Sequence, residues 1–245
     1  MIVAGHAVYV ADDFTAVTDD QSWWLQPFQA GEPPFYLEHI RRGVEIAAAE
    51  PTSLLVFSGG QTRREAGPRS EAQGYWSIAN HFEWWHRPRV GMRSTTEEHA
   101  RDSYENLLFA ICRFRECTGR YPASIMIVGW AFKEERFNLH RTTIGWTSPY
   151  AYIGVNNPVD LDGALKGEKD ALDAFDEDPF GTNLAPAGTP AEKRGHFLGE
   201  KRRERNPFRR VPPYATTCPE LADLLRHETS TGKQFRGVLP WRHSR

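Results

Sequence analysis

The chain is poor in sulfur and has no long apolar run. Three cysteines, Cys112, Cys117 and Cys218, occur in 245 residues, an odd number without a CxxC pair. That excludes a disulfide framework, and a reduced, cytoplasmic setting is the expectation. No stretch approaches the roughly 18 apolar residues of a membrane span, so no membrane partner is expected. A basic excess is missing as well. The formal charge is -2, whereas a nucleic-acid-binding partner surface calls for a clear surplus of Lys and Arg. HExxH, the P-loop, GxGxxG and GxSxG are all absent, which disfavours a zinc protease and a P-loop NTPase. The opening "MIVAGHAVYVADDF" has no basic region and reads as a strand rather than a signal peptide.

What is present is ordinary globular material. Apolar residues make up 40% and charged residues 25%, enough of each to build a buried core under a solvated surface. Apolar runs of strand length fall at Ile2 to Val10, Ser53 to Phe57, Val90 to Arg93, Ser124 to Gly129 and Tyr150 to Val155. Unbroken runs such as "SIMIVG" suit strands buried on both faces. Helical spacing intervenes at Leu37, Ile40, Val44 and Ala48, and again at Leu107, Leu108, Ile111 and Phe114. Strand–helix alternation predicts a doubly wound, mostly parallel α/β sheet, a Rossmann-like three-layer sandwich.

The texture changes after Val155. An acidic stretch, "DALDAFDED", precedes a Gly/Pro-rich one and then the basic "AEKRGHFLGEKRRERNPFRR". The expectation is a core over 1–155 and an irregular extension over 156–245 that wraps it. Phe175, Phe180, Phe197, Phe208 and Tyr214 would be its anchors. "CPELADLLRHE" reads as a short amphipathic helix.

In such sheets, ligands bind beyond the carboxyl ends of the strands. Gly5 and His6 follow the first strand. Ser58-Gly59-Gly60 follows the second, where two glycines can form a nest of N–H donors for an anion, with Arg63, Arg64 and Arg69 close behind. Ser70 has the place of a helix N-cap, and Glu71 that of a first-turn carboxylate. Ser94 with Glu97, and Asp102 with Glu105, have capping-box spacing. Arg101, Ser103, Glu105 and Asn106 crowd one helix start, and Asn106 lies beside the apolar stripe. Lys133 and Arg136 stand near another helix start, where cations oppose the dipole and so point to a negative partner. His86, His99 and His140 read as structural.

Taken together, these residues resemble the domain of unknown function numbered two hundred and eighteen, typified by bacterial ElyC, SanA and YdcF proteins. The matching features are Ser58-Gly59-Gly60, Ser70-Glu71-Ala72, Glu98 with Ser103 and Glu105-Asn106, and Lys133 with Arg136. Fungal members look most alike, through "HAVY", "LVFSGGQT", "RDSYENLLFAICRF", "FKEERF" and "KRRERNPFRR". The resemblance implies a Rossmann-like fold and a nucleotide-like ligand, and it brings in S-adenosylmethionine. It implies no particular reaction.

The leading expectation is a small-molecule enzyme, a hydrolase or transferase. It would bind an anionic ligand through Gly5, His6, Ser58, Gly59, Gly60, Arg63, Ser70, Arg101, Asn106, Lys133 and Arg136. Glu71, Glu105 and Ser103 would be its catalytic residues, with Glu71 or Glu105 a general base or magnesium ligand. Lys201, Arg202 and Arg205 would fold over the mouth, unless the basic tail pairs with the acidic stretch instead. An S-adenosylmethionine-binding protein is the second reading. A ligand sensor or interaction protein, suggested by Trp23-Trp24 and Trp84-Trp85, is the third.

Overall fold

The computed structural model describes residues 1–184, 198–208 and 211–242. Along the chain run β1 (Ile2–Ala4), β2 (Val8–Tyr9), β3 (Trp23–Trp24), α1 (Pro33–Ala49), β4 (Leu55–Ser58), α2 (Glu71–His81), α3 (Pro88–Gly91) and β5 (Ser94–Glu97). Then come α4 (Ser103–Thr118), β6 (Ile125–Gly129), α5 (Glu134–Thr143), β7 (Tyr150–Gly154), α6 (Leu161–Glu177), α7 (Leu198–Glu204), α8 (Tyr214–Thr217) and α9 (Ala222–Leu225).

Five strands form one parallel sheet in the order β5-β4-β1-β6-β7. The chain winds outward from β1 through β4 to β5, then returns to the other side of β1 for β6 and β7. The strand order therefore reverses beside β1, the switch point at which such sheets hold ligands. Val3, Leu55, Phe57 and Val128 bury one face against Tyr36, Ile40 and Val44 of α1 and Tyr75 and Ile78 of α2. Ile2, Val56, Ile125 and Ile127 bury the other against Leu107, Leu108 and Ile111 of α4 and Phe137 of α5. Helices on both faces explain the unbroken apolar runs, and the three layers are those of a Rossmann-like sandwich.

Two expected strands differ. The run from Ile2 to Val10 divides: Gly5 makes the last bond to the sheet, its N–H donating to Ser58 O of β4 (2.7 Å), and the chain leaves the sheet after it. Its second half pairs with β3 in a separate two-stranded ribbon. The strand expected at Val90 to Arg93 is Ser94–Glu97 instead. As the edge strand it is half-buried over most of its length, and its polar "STTE" hid it. Ser94 and Glu97 are therefore strand residues and form no capping box.

The second half is more regular than its composition suggests. Asp160 caps α6 by accepting from Gly163 N (2.9 Å). Phe175, Phe180 and Tyr214 are buried as expected, in the same cluster as Leu107 and Ile111, and Leu221, Leu224 and Trp241 join them. Phe208 is 51% exposed and anchors nothing. Phe197 lies outside the described residues. "CPELADLLRHE" forms a 3-10 turn at Pro219–Leu221 followed by the single turn of α9. Among the described residues no helix is long and apolar enough to cross a membrane.

Candidate functional site

The carboxyl ends of β1, β4 and β6 open into a cavity of about 380 Å³ at the switch point. Gly5 and His6 line it from β1, and Thr62, Arg63 and Glu71 from the segment after β4. Arg101, Asp102, Ser103 and Asn106 line it at the start of α4, and Lys133 and Arg136 at the start of α5. Lys201 of α7 and Arg205, just past its end, also line it.

The glycines do not serve as an anion nest. Gly59 N donates to Glu97 O (3.0 Å) and Gly60 N to Ala100 O (2.7 Å), so both N–H groups are already used. Their value is steric. A Cβ on Gly59 would lie 2.5 Å from Glu71 Oε2, and one on Gly5 would lie 2.7 Å from Glu71 Cβ. The two glycines thus make room for the Glu71 side chain. Gly60 lets the loop before α4 approach, since a Cβ there would lie 2.6 Å from Ala100 O. Ser58 and Ser70 also stay off the cavity wall. Ser70 accepts from Gln73 N (3.0 Å), capping α2, and donates to Glu98 Oε2 (3.0 Å).

Glu105 and Arg202 are likewise structural. Glu105 accepts from Arg101 N (2.8 Å) and Arg101 Nε (2.9 Å) and is 3% exposed, so it is neither a free base nor a free metal ligand. Arg101 lines the cavity, but its guanidinium is committed to Glu105. Arg202 turns inward. Its Nε donates to Asp102 Oδ2 (2.5 Å), its Nη1 to Phe180 O (2.5 Å), and its ring neighbour is Tyr104. Burial alone would raise the Asp102 carboxyl, but Arg202 brings it down to about 2. Asp102 also caps α4, accepting from Glu105 N (3.0 Å). Among the described residues, no ion pair joins α7 to the acidic stretch on α6.

The remaining cations behave differently. Arg136 pairs with the buried Glu168 of α6 (2.8 Å). Arg63, Lys133, Lys201 and Arg205 line the cavity with no carboxylate within ion-pair distance among the described residues. Arg63 lies over the Trp24 ring (5.0 Å), and Arg205 donates to Arg101 O (2.6 Å). Burial, and then the charge of Arg136, lower the Lys133 ammonium to about 8. Burial lifts the Glu71 carboxyl above its ordinary range. Thr62 Oγ1, donating to Glu71 Oε1 (2.6 Å), and the charges of Arg63, Arg205 and Lys133 hold that rise back. His6 is kept neutral by burial and by Lys133, His39 and Arg136, and its Nε2 has no partner among the described residues.

Below the wall lies a polar chain that the sequence did not reveal. Tyr214 Oη donates to Glu97 Oε1 (2.9 Å), and Ser58 Oγ lies 2.8 Å from Glu97 Oε2 and 3.0 Å from Asn106 Oδ1. One hydroxyl proton cannot serve both oxygens. Burial lifts the Glu97 carboxyl to about 7. A protonated Glu97 can donate to Ser58, freeing the Ser58 proton for Asn106. That fixes the Asn106 carboxamide on the cavity wall.

Thr62, Glu97 and His140 were missed as participants. Thr62 follows the glycine loop at once and could have been found by its place. Glu97 ends β5, whose polar residues carry no strand signal. His140, read as structural, is buried but touches Ser103 Oγ (2.8 Å). The tryptophan pairs offer no exposed patch, because Trp23 (4%) and Trp84 (5%) are buried and their partners half-buried. Magnesium finds no built ligand set. No group of three or more His, Cys, Asp or Glu able to hold a metal occurs among the described residues. S-adenosylmethionine, itself a cation, would meet Arg63, Lys133, Lys201 and Arg205 on the cavity wall, and β4 runs into Ser58-Gly59-Gly60 rather than an acidic residue, leaving Glu71 as the carboxylate that lines the cavity at that end.

Fold and site together define a Rossmann-like α/β protein with a cation-rich crevice at the switch point of its sheet. The chain is 30% identical over 269 aligned positions to the uncharacterized protein YOR238W of Saccharomyces cerevisiae, covering 88% of this chain and 81% of the yeast protein. It belongs to that protein's family. No family model matches the chain, and no solved structure matches it.

Proposed function

We propose that this protein is a hydrolase or transferase acting on a small phosphorylated, nucleotide-like molecule, bound in the crevice beyond β1, β4 and β6. One observation carries the reading. Four cations, Arg63, Lys133, Lys201 and Arg205, face the cavity without a carboxylate partner among the described residues. Lys133 is the one whose charge burial opposes most, and such a cation is costly to leave unpaired; a phosphate would compensate it, with Arg63, Lys201 and Arg205 at its edges. Glu71 is the acid–base group of this reading. Its carboxyl is raised above its ordinary range by burial, and it lies among cations that would hold the reacting group. The setting proposed is the cytoplasm, in keeping with three unpaired cysteines. The more distant kinship with the ElyC, SanA and YdcF proteins is part of the same proposal and rests on the SGG, SEA and EN motifs.

The test is a thermal-shift panel of inorganic phosphate, nucleoside monophosphates and sugar phosphates, with S-adenosylmethionine included. A ligand at about 100 times its Kd adds about 2.7 kcal/mol. The reading predicts a shift with phosphorylated compounds that is lost in Lys133→Met. A shift with S-adenosylmethionine alone would replace it.

A further inference from the structure

Ser103 and His140 share a contact that the anion clamp does not require. Ser103 opens α4 on the cavity wall, beside Asn106, Lys133 and Arg136. Its Oγ lies 2.8 Å from Nε2 of His140, which comes from α5 and has no exposed surface. Packing holds the imidazole in place. The Phe175 ring meets it edge-on at 4.4 Å, and Tyr104 and Phe137 stand at 5.7 and 5.8 Å. Burial, and then the charge of Arg136, keep this ring neutral. Nδ1 has no partner among the described residues, so Nε2 is the ring atom that meets a hydroxyl. In the tautomer that carries the ring proton on Nδ1, Nε2 accepts the proton of a hydroxyl on the cavity wall, which is the arrangement of an activated nucleophile. A serine serving only to cap a helix would need no such partner, and here Asp102 already caps α4.

We propose that Ser103 is a nucleophile activated by His140 and that it accepts the phosphoryl group of the bound ligand as a covalent phosphoserine. The proposal rests on the phosphorylated-ligand reading above. In the first step the Ser103 Oγ–P bond forms and the bond from phosphorus to the leaving oxygen breaks. The electron pair departs with that oxygen. The Oγ proton moves to His140 Nε2 and from there to the departing oxygen. In the second step water attacks phosphorus, the Oγ–P bond breaks, and the proton lost by water returns through Nε2 to Oγ. Arg136 and Arg202 oppose an imidazolium at His140 while Asp102 favours it, so the proton's stay on the ring is brief.

The probe is 4-nitrophenyl phosphate, followed by acid quench, intact mass and peptide mapping. Calorimetry with inorganic phosphate runs alongside. The expected result is one phosphoryl group on the peptide holding Ser103, absent in Ser103→Ala, while that variant still binds phosphate. In His140→Gln, checked for an unchanged melting temperature, the labelling rate should fall about a hundredfold or more. Ser103→Ala carries the test alone if the histidine variant does not fold. Phosphate binding without any label on Ser103 would overturn the covalent proposal and leave the anion clamp standing. Label on Ser103 without measurable phosphate binding would do the reverse. Neither binding nor label would sink both, and an unchanged rate in folded His140→Gln would remove the histidine from the step.

Discussion

The short basic segment of α7 and the residue that follows it contribute to two regions of opposite character. Arg202 points into the fold, where Asp102 and Glu105 neutralise it and Phe180 O takes another of its donors. Lys201 and Arg205, on the other face, border the cavity with no carboxylate partner among the described residues. The partnered region is closed electrostatically, and it holds the basic segment against the start of α4. The unpartnered region is open, with Arg63 adding to it from the segment after β4 and Lys133 from the start of α5. A buried cation with its carboxylate belongs to the architecture. One facing a cavity without such a partner is available to a ligand.

The largest effect expected follows from removing the partner on the closed side. Arg202→Ala leaves Asp102 and Glu105 buried with one cation fewer, and should cost about 3–5 kcal/mol in denaturant unfolding. A loss below about 1 kcal/mol would mean that the pairing is incidental. On the open side, Gly59→Ala places a methyl group 2.5 Å from Glu71 Oε2 and 2.8 Å from its Cβ. It should cost about 1–3 kcal/mol and weaken ligand binding as well.

Glu97, below the cavity wall, makes the fold sensitive to pH. Its folded carboxyl is raised to about 7 from an ordinary 4.5. Its stabilising contribution is therefore complete below about pH 4.5 and is lost as pH rises through 7, on the order of 3 kcal/mol. Glu97→Gln imitates the protonated form and should flatten that slope in melts taken across the interval. The smallest effect belongs to Lys133. Its folded pKa of about 8 lies below the ordinary 10.5, so the fold carries a penalty at neutral pH that is relieved as pH rises between those values. Lys133→Met should thus leave stability at pH 7 unchanged or raise it by about 1 kcal/mol, with a flatter profile from about pH 8 to 10. A marked loss would assign Lys133 to the architecture instead.

How much of this was legible depends on which force decides each feature. The central strands could be read because burial on both faces demands unbroken apolar residues, as in "IMIVG". The edge strand could not, since "STTE" meets only one neighbour and carries no such signal. The helix phase of Lys201 and Arg205 was visible in their spacing, and so was their shared face. The inward turn of Arg202 was not, because it depends on Asp102, a hundred residues away in sequence. The glycine loop misled for a related reason. Sequence shows that Gly59 and Gly60 can offer N–H groups, but not that Glu97 O and Ala100 O already accept them. Pairing across the fold, rather than local preference, decides which polar groups remain for a ligand.

The most direct measurement is calorimetric titration of phosphorylated compounds into the parent protein, Lys133→Met and Arg205→Ala, each verified as folded. The account predicts saturable binding to the parent that weakens at least about tenfold in both variants, the loss of one charge-assisted contact each. Undiminished binding in both variants, or no binding of any phosphorylated compound to the parent, would contradict it.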